Sequence, residues 1–175
     1  MIRYLNIEEQ VDFDFTRARH RASFRSIRAR IVGGSASTRM RSLEDVSNKL
    51  GAFNRVRLGR RVVAVEKIVG SVGRFRDFDR NFLPTHGSLE MKWKRIDRAY
   101  HRGQDLPPVA LFEVGGSFFM EDGNHHVSVA RYQGIEWIEA EVTVLRGGVS
   151  AAPVRGSGTA TTESEQMVAP QPVAA

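Results

Sequence analysis

An α+β domain preceded by a basic helical extension is what this sequence predicts, on three observations. Two β-type runs flank Gly115-Gly116, and the second leads through Asp122-Gly123 into a helical segment. Leu89, Trp93, Ile96 and Tyr100 recur at helical spacing. Ile138, Ala140, Val142 and Val144 alternate with Trp137, Glu139, Glu141 and Thr143, the period of a strand with one covered face. A chain of 175 residues with 41% hydrophobic composition can build one ordinary core.

Residues 17–31 carry Arg17, Arg21, Arg25 and Arg28 on one side of a helix, beside an apolar stripe of His20, Phe24, Ile27 and Ile31 expected to rest on the core. Gly33-Gly34-Ser35-Ala36-Ser37-Thr38 breaks that helix, and Ser42-Leu43-Glu44-Asp45 opens a short second one ending near Gly51. Arg55, Arg57, Arg60 and Arg61 then lead into a first core strand over 62–69. The segment 1–61 is therefore read as a two-helix extension, 62–146 as the domain, and 147–175 as a disordered tail of Ala, Gly, Ser, Thr, Val and Pro without aromatics.

Residues 70–84 form a loop in which Phe75, Phe78 and Phe82 are expected to pack beneath the backbone. Asp77 and Asp79 are close enough to pair with Arg76 and Arg80. A helix over 87–102 buries Trp93, and a hairpin over 108–114 and 117–122 comes after it. The next helix starts at Gly123 and stops at Gly134.

Charge is unevenly placed. Residues 1–61 hold 14 Lys and Arg against 6 Asp and Glu, whereas 62–146 hold 11 against 12. The basic first helix could offer its arginines to DNA, RNA or an anionic protein. No apolar run is long enough to span a bilayer, the opening residues lack a secretory apolar core, and there is no cysteine. The expectation is a soluble cytoplasmic protein without disulfides, thiolate metal sites or cysteine nucleophiles.

The chemistry concentrates at the strand-to-helix junction. A helix start leaves N–H groups unpartnered and carries the positive end of the dipole, so it holds anions. Gly123 lets a phosphate approach, Asn124 or Asp122 could cap the helix, and His125 and His126 could donate to phosphate oxygens or move protons. Asp122, His125 and His126 are thus candidates for catalysis, although they match no established metal-ligand spacing, and no metal site is assigned.

Asp122-Gly123-Asn124-His125-His126-Val127-Ser128-Val129-Ala130 resembles the phosphate-binding turn of the ParB/sulfiredoxin superfamily, in which a hairpin strand enters a helix through a Gly-x-His-Arg or Gly-Glu-Arg-Arg turn. Residues 62–69 with Arg74 beyond them are similar to that superfamily's first conserved box, and 134–142 to its closing strand. The resemblance runs from about residue 62 to 145 and implies a mixed sheet with a hairpin and packed helices. It also implies a phosphate site at Arg74, Gly123, Asn124, His125 and His126, with a nucleotide, ATP or CTP, and Mg2+ as its companions. Two departures narrow the chemistry. Asn124 stands where sulfiredoxin needs cysteine, which excludes sulfinic-acid repair, and His126 stands where most members carry a phosphate-gripping arginine. Beyond Leu145 the chain continues into Gly147-Gly148 and a low-complexity tail in place of a helix-turn-helix region, so sequence-specific centromere binding is not expected.

Three functions fit: a regulatory nucleotide- or phosphate-binding module that could associate with DNA, a phosphate-chemistry enzyme (nuclease, ATPase or small-molecule kinase), or a ligand-free protein-interaction domain. The sequence leaves catalysis open.

Overall fold

The structure, a computed structural model, describes residues 6–31, 40–74 and 76–147. The expected break at 33–38, Phe75 and the expected tail from 148 onward lie outside the described residues. The elements are α1 (Ile7–Ile31), β1 (Arg41–Ser42), α2 (Leu43–Leu50), β2 (Ala52–Ala64), β3 (Ile68–Ser71), α3 (Glu90–His101), β4 (Val109–Val114), β5 (Ser117–Asp122), α4 (Asn124–Gln133) and β6 (Trp137–Gly147).

The six strands form one mixed sheet in the order β1-β3-β5-β4-β6-β2. β4 and β5 are the expected hairpin, pairing Val114 with Ser117 across the two-glycine turn. β3 joins β5 in parallel and β6 joins β4 in parallel. Parallel neighbours require crossover connections, and helices supply them: α3 lies between β3 and β4 in the chain, and α4 between β5 and β6.

Alternation along the strands sorts the core onto two faces. Leu111, Met120, Ala140 and Val142 pack with Val127 and Ala130 of α4, and with Phe78 and Phe82 of the 72–86 loop. On the other face Phe112, Val114, Phe119 and Leu145 meet Leu43 of α2. A further layer joins the three longer helices: Phe15, Ala18 and Ala22 of α1 pack with Trp93 of α3 and Val129 of α4. Trp93 is fully buried, and its Nε1 donates to Ser128 Oγ at 2.8 Å.

Three expectations are corrected. The first helix buries Val11, Phe15, Ala18 and Ala22, while Phe24, Ile27 and Ile31 are 72%, 52% and 79% exposed. Its N-terminal half lies against α3, where Glu8 accepts from Arg98 Nε at 2.7 Å and Asp12 pairs with Lys94 at 2.8 Å, and the apolar stripe of its second half stays uncovered among the described residues. The first core strand does not run through 62–69. β2 starts ten residues earlier and ends at Ala64, a 3-10 turn spans Val65–Lys67, and β3 comes next. Arg55, Arg57, Arg60 and Arg61 belong to β2 itself, paired with β6, so residue 61 falls inside a strand. Finally, β6 is covered on both faces at its end: Val144 is only half-buried, and Leu145 is buried on the opposite face against α2.

Candidate functional site

α4 begins at Gly123, whose backbone is left-handed at φ 102°, a conformation that favours glycine. No side chain among the described residues caps the helix. This corrects the expected caps: Asp122 Oδ1 accepts from the N–H of Gly123 at 2.8 Å, and Asn124 Oδ1 is buried without a partner among the described residues. The first N–H groups of α4 therefore remain uncapped, with the positive end of its dipole facing outward.

In front of them is a cleft of about 320 Å³ whose lining includes Arg74, Lys92, Arg95, Asn124, His125 and His126. Three chain segments build it. The 72–86 loop brings Arg74, whose Nη1 donates to Asp77 Oδ2 at 3.1 Å. α3 buries Trp93, Asp97 and Ala99, which leaves Lys92 and Arg95 exposed on its cleft side. Leu106-Pro107-Pro108 closes the rim before β4. Sequence reading placed Arg74, Gly123, Asn124, His125 and His126 here but missed Lys92 and Arg95.

Gly123 also has a duty in the packing of the fold. A Cβ at this position would stand 2.6 Å from Val109 Cγ1 and 2.9 Å from Val109 Cβ, so glycine is required for α4 to approach β4. Close approach of a ligand is not needed to explain it.

The two histidines are held neutral. Both ring nitrogens of His125 are buried without a partner among the described residues, and its ring meets Phe78 edge-on at 5.3 Å. Burial, with Arg74 and Lys92 adding repulsion and Asp77 opposing, pushes its pKa down to about 4. His126 packs against Tyr100 at 5.7 Å and is lowered by burial. The unfolded chain takes up the His125 proton near pH 6.5, whereas the folded chain resists it until about 4. Stability from this group is thus complete above pH 6.5 and lost as pH falls toward 4, by up to about 3 kcal/mol. Urea unfolding at pH 7 and pH 4 should show that extra loss in the unsubstituted chain and not in His125→Leu; equal pH dependence in both would refute the buried neutral imidazole.

The arginines expected to read nucleic acid lie on α1 and are all exposed. Arg17 lies over Phe13 at 5.7 Å and Arg21 over Tyr132 at 5.0 Å. Arg21 and Arg25 also line a second cleft of about 590 Å³ with Arg131, Glu66, Glu136 and Trp137, while Arg28 stands outside it. Arg131 has a structural duty there: its Nη2 donates to the carbonyls of Val65 at 3.0 Å and Ile68 at 2.6 Å, tying α4 to the turn between β2 and β3.

A polar cluster that sequence reading missed lies where α1, α3 and α4 meet. Asp14 accepts from Tyr132 Oη at 2.8 Å and from Gln10 and Gln133, and faces His101 Nε2 at 3.0 Å. Burial alone would raise the Asp14 pKa, but these hydrogen bonds outweigh it and hold the carboxyl below its usual range. Asp97 accepts from Gln133 at 2.7 Å. Burial, against that hydrogen bond and with the charge of Asp14 beside it, pushes Asp97 up to about 6.

No protein-family model matches the chain, and no curated protein matches it. Among solved structures, sulfiredoxin from Arabidopsis thaliana is similar over 47% of this chain and 82% of its own, at 19% identity and a TM-score of 0.35. The chain's own architecture is a six-stranded mixed sheet with four α-helices among the described residues. No helix among these residues is long and apolar enough to cross a membrane.

Proposed function

We propose that the cleft before α4 binds the phosphate groups of a nucleotide, ATP or CTP, accompanied by Mg2+, and that the domain is a regulatory binding module. The observation that carries this reading is the convergence of Arg74, Lys92 and Arg95 on an uncapped helix N-terminus. Three cations and oriented N–H groups suit a polyanion, whose charge they meet at several oxygens at once. The replacement of the superfamily's usual arginine by His126 is offset on this account by Lys92 and Arg95, which come from a different helix.

Binding is favoured over catalysis by the state of the histidines. With a pKa of about 4, His125 is neutral at pH 7 and a weak base, far from the value at which proton transfer is efficient. A neutral imidazole at His126, unlike the buried ring nitrogens of His125, can still donate one N–H to a phosphate oxygen. The exposed arginines of α1 are the surface to which DNA or an anionic protein would attach, and such binding would be salt-dependent.

Calorimetric titration with ATP, CTP and inorganic tripolyphosphate, with and without Mg2+, tests the assignment. Lys92→Glu combined with Arg95→Glu should weaken binding at least about tenfold, since each lost charge-assisted contact is worth on the order of 1.5–3 kcal/mol. Both positions are exposed, so the fold should survive. Failure of all three ligands to bind the unsubstituted chain, or equal affinity in the double variant, would defeat this reading. Tripolyphosphate binding as tight as that of ATP and CTP would show that the base is not read.

A further inference from the structure

The cluster at the α1–α3–α4 junction holds two carboxylates and an imidazole in a poorly solvated place. The side chains of Asp14 and Asp97 are 5% and 0% exposed, and that of His101 27%, so the imidazole forms the rim. Asp97 and His101 are one turn apart on α3, and Asp14 arrives from α1. Neither carboxylate has a Lys or Arg ion-pair partner among the described residues. Asp97 Oδ2 is fully buried, has no hydrogen-bond partner among them, and faces His101 Nε2 at 3.6 Å.

We propose that Asp14, Asp97 and His101 bind one first-row divalent transition-metal ion, of the Zn2+ or Mn2+ class. One ligand atom from each residue lies within 4.8 Å of the others, and His101 Nε2 is 3.0 Å from Asp14 Oδ2 and 3.6 Å from Asp97 Oδ2. Metal bonds of about 2.0–2.2 Å place neighbouring ligand atoms about 3.0–3.5 Å apart in octahedral or tetrahedral sites, so little movement is needed. Two carboxylates balance the charge of the ion, and the mixed oxygen and nitrogen set suits Zn2+ or Mn2+ better than Ca2+ or Mg2+, which prefer oxygen alone.

The surroundings are those of a supported site. Gln133 Nε2 lies 2.7 Å from Asp97 Oδ1 and 3.3 Å from Asp14 Oδ2, and rotation of its amide would turn an oxygen toward the same point. Tyr132 and Gln10 hold Asp14 from behind through hydrogen bonds of 2.8 Å and 3.1 Å, as outer partners orient a ligating carboxylate. The site joins an α1 residue to two α3 residues, so the ion would fasten the N-terminal helix to the domain. It is distinct from the phosphate cleft and requires no nucleotide.

Titrating the full, nucleotide-free chain in chelator-treated buffer tests this, with Mn2+ followed by the electron paramagnetic resonance of the free ion and Zn2+ followed by calorimetry. One ion per chain is expected. Asp97→Asn and His101→Gln should each weaken uptake at least about tenfold, and Zn2+ should raise the unfolding temperature of the unsubstituted chain but not of His101→Gln. His101 lies at the rim, so His101→Gln remains informative even if Asp97→Asn does not fold. His20→Gln and His86→Gln, at positions outside the cluster, should bind as the unsubstituted chain does. Absence of uptake of either ion, or uptake unchanged in His101→Gln, overturns the proposal.

Discussion

Replacing Trp93 with alanine is expected to lower the free energy of unfolding by about 3–5 kcal/mol. The side chain is fully buried and holds three helices together: its ring lies 5.6 Å from Phe15 of α1 and 5.6 Å from Tyr132 of α4, and its Nε1 serves Ser128. Truncation removes the filling of the α1–α3–α4 layer and leaves a buried hydroxyl without its donor. Trp93→Phe separates the two losses, because it restores much of the packing but not the hydrogen bond, and should cost about 1–3 kcal/mol. Urea unfolding followed by far-ultraviolet circular dichroism measures both. A loss below about 1 kcal/mol for the alanine variant would show that the helical layer does not pack as described.

Gly123→Ala should cost about 2–4 kcal/mol, from two sources that a second glycine can separate. Left-handed backbone disfavours any Cβ, and here the Cβ would also meet Val109 at 2.6 Å and Met120 Cε at 3.2 Å. Gly134 is left-handed too, at φ 74°, but nothing lies within 4 Å of its Cβ position. Gly134→Ala should therefore show the backbone cost alone, about 1–2 kcal/mol. Equal losses in the two variants would mean that Val109 yields freely and that α4 is not pressed against β4. Because Gly123 supports the fold, a ligand affinity measured in a Gly123 variant reports on α4's seating as well as on the cleft. Lys92 and Arg95 give the cleaner test.

How much could be read from the chain alone depends on how local each signal was. The β4–β5 hairpin and α4 were legible because Gly115-Gly116, Gly123 and Gly134 mark their ends within a few residues. The buried face of α1 was misread because Phe24, Ile27 and Ile31 outweigh Ala18 and Ala22 in any hydrophobic pattern, yet the partner helix lies beside the first half. β2 was missed as a strand because arginines at 55, 57, 60 and 61 mask its period, and its pairing with β6 spans about half of the chain. At the cleft, Arg74 and the junction residues carry a motif, whereas Lys92 and Arg95 acquire meaning only once α3 is set beside α4. The spacing of Asp97 and His101 was a weak signal available on α3, but Asp14 is 87 residues from His101 and no pattern joins them.

The outer position of β2 has a consequence for how copies of this chain meet. A thirteen-residue strand at the end of a sheet presents a row of backbone donors and acceptors to which a foreign strand could add. Arg55, Arg57, Arg60 and Arg61 are all exposed along it, and the ladder with β6 is interrupted between Ala52 and Asn54 and again between Arg57 and Gly59. Two such edges approaching each other would bring like charges together on strands too irregular to align. The arginines that conceal β2 in the sequence thus keep one molecule's sheet from growing onto the next.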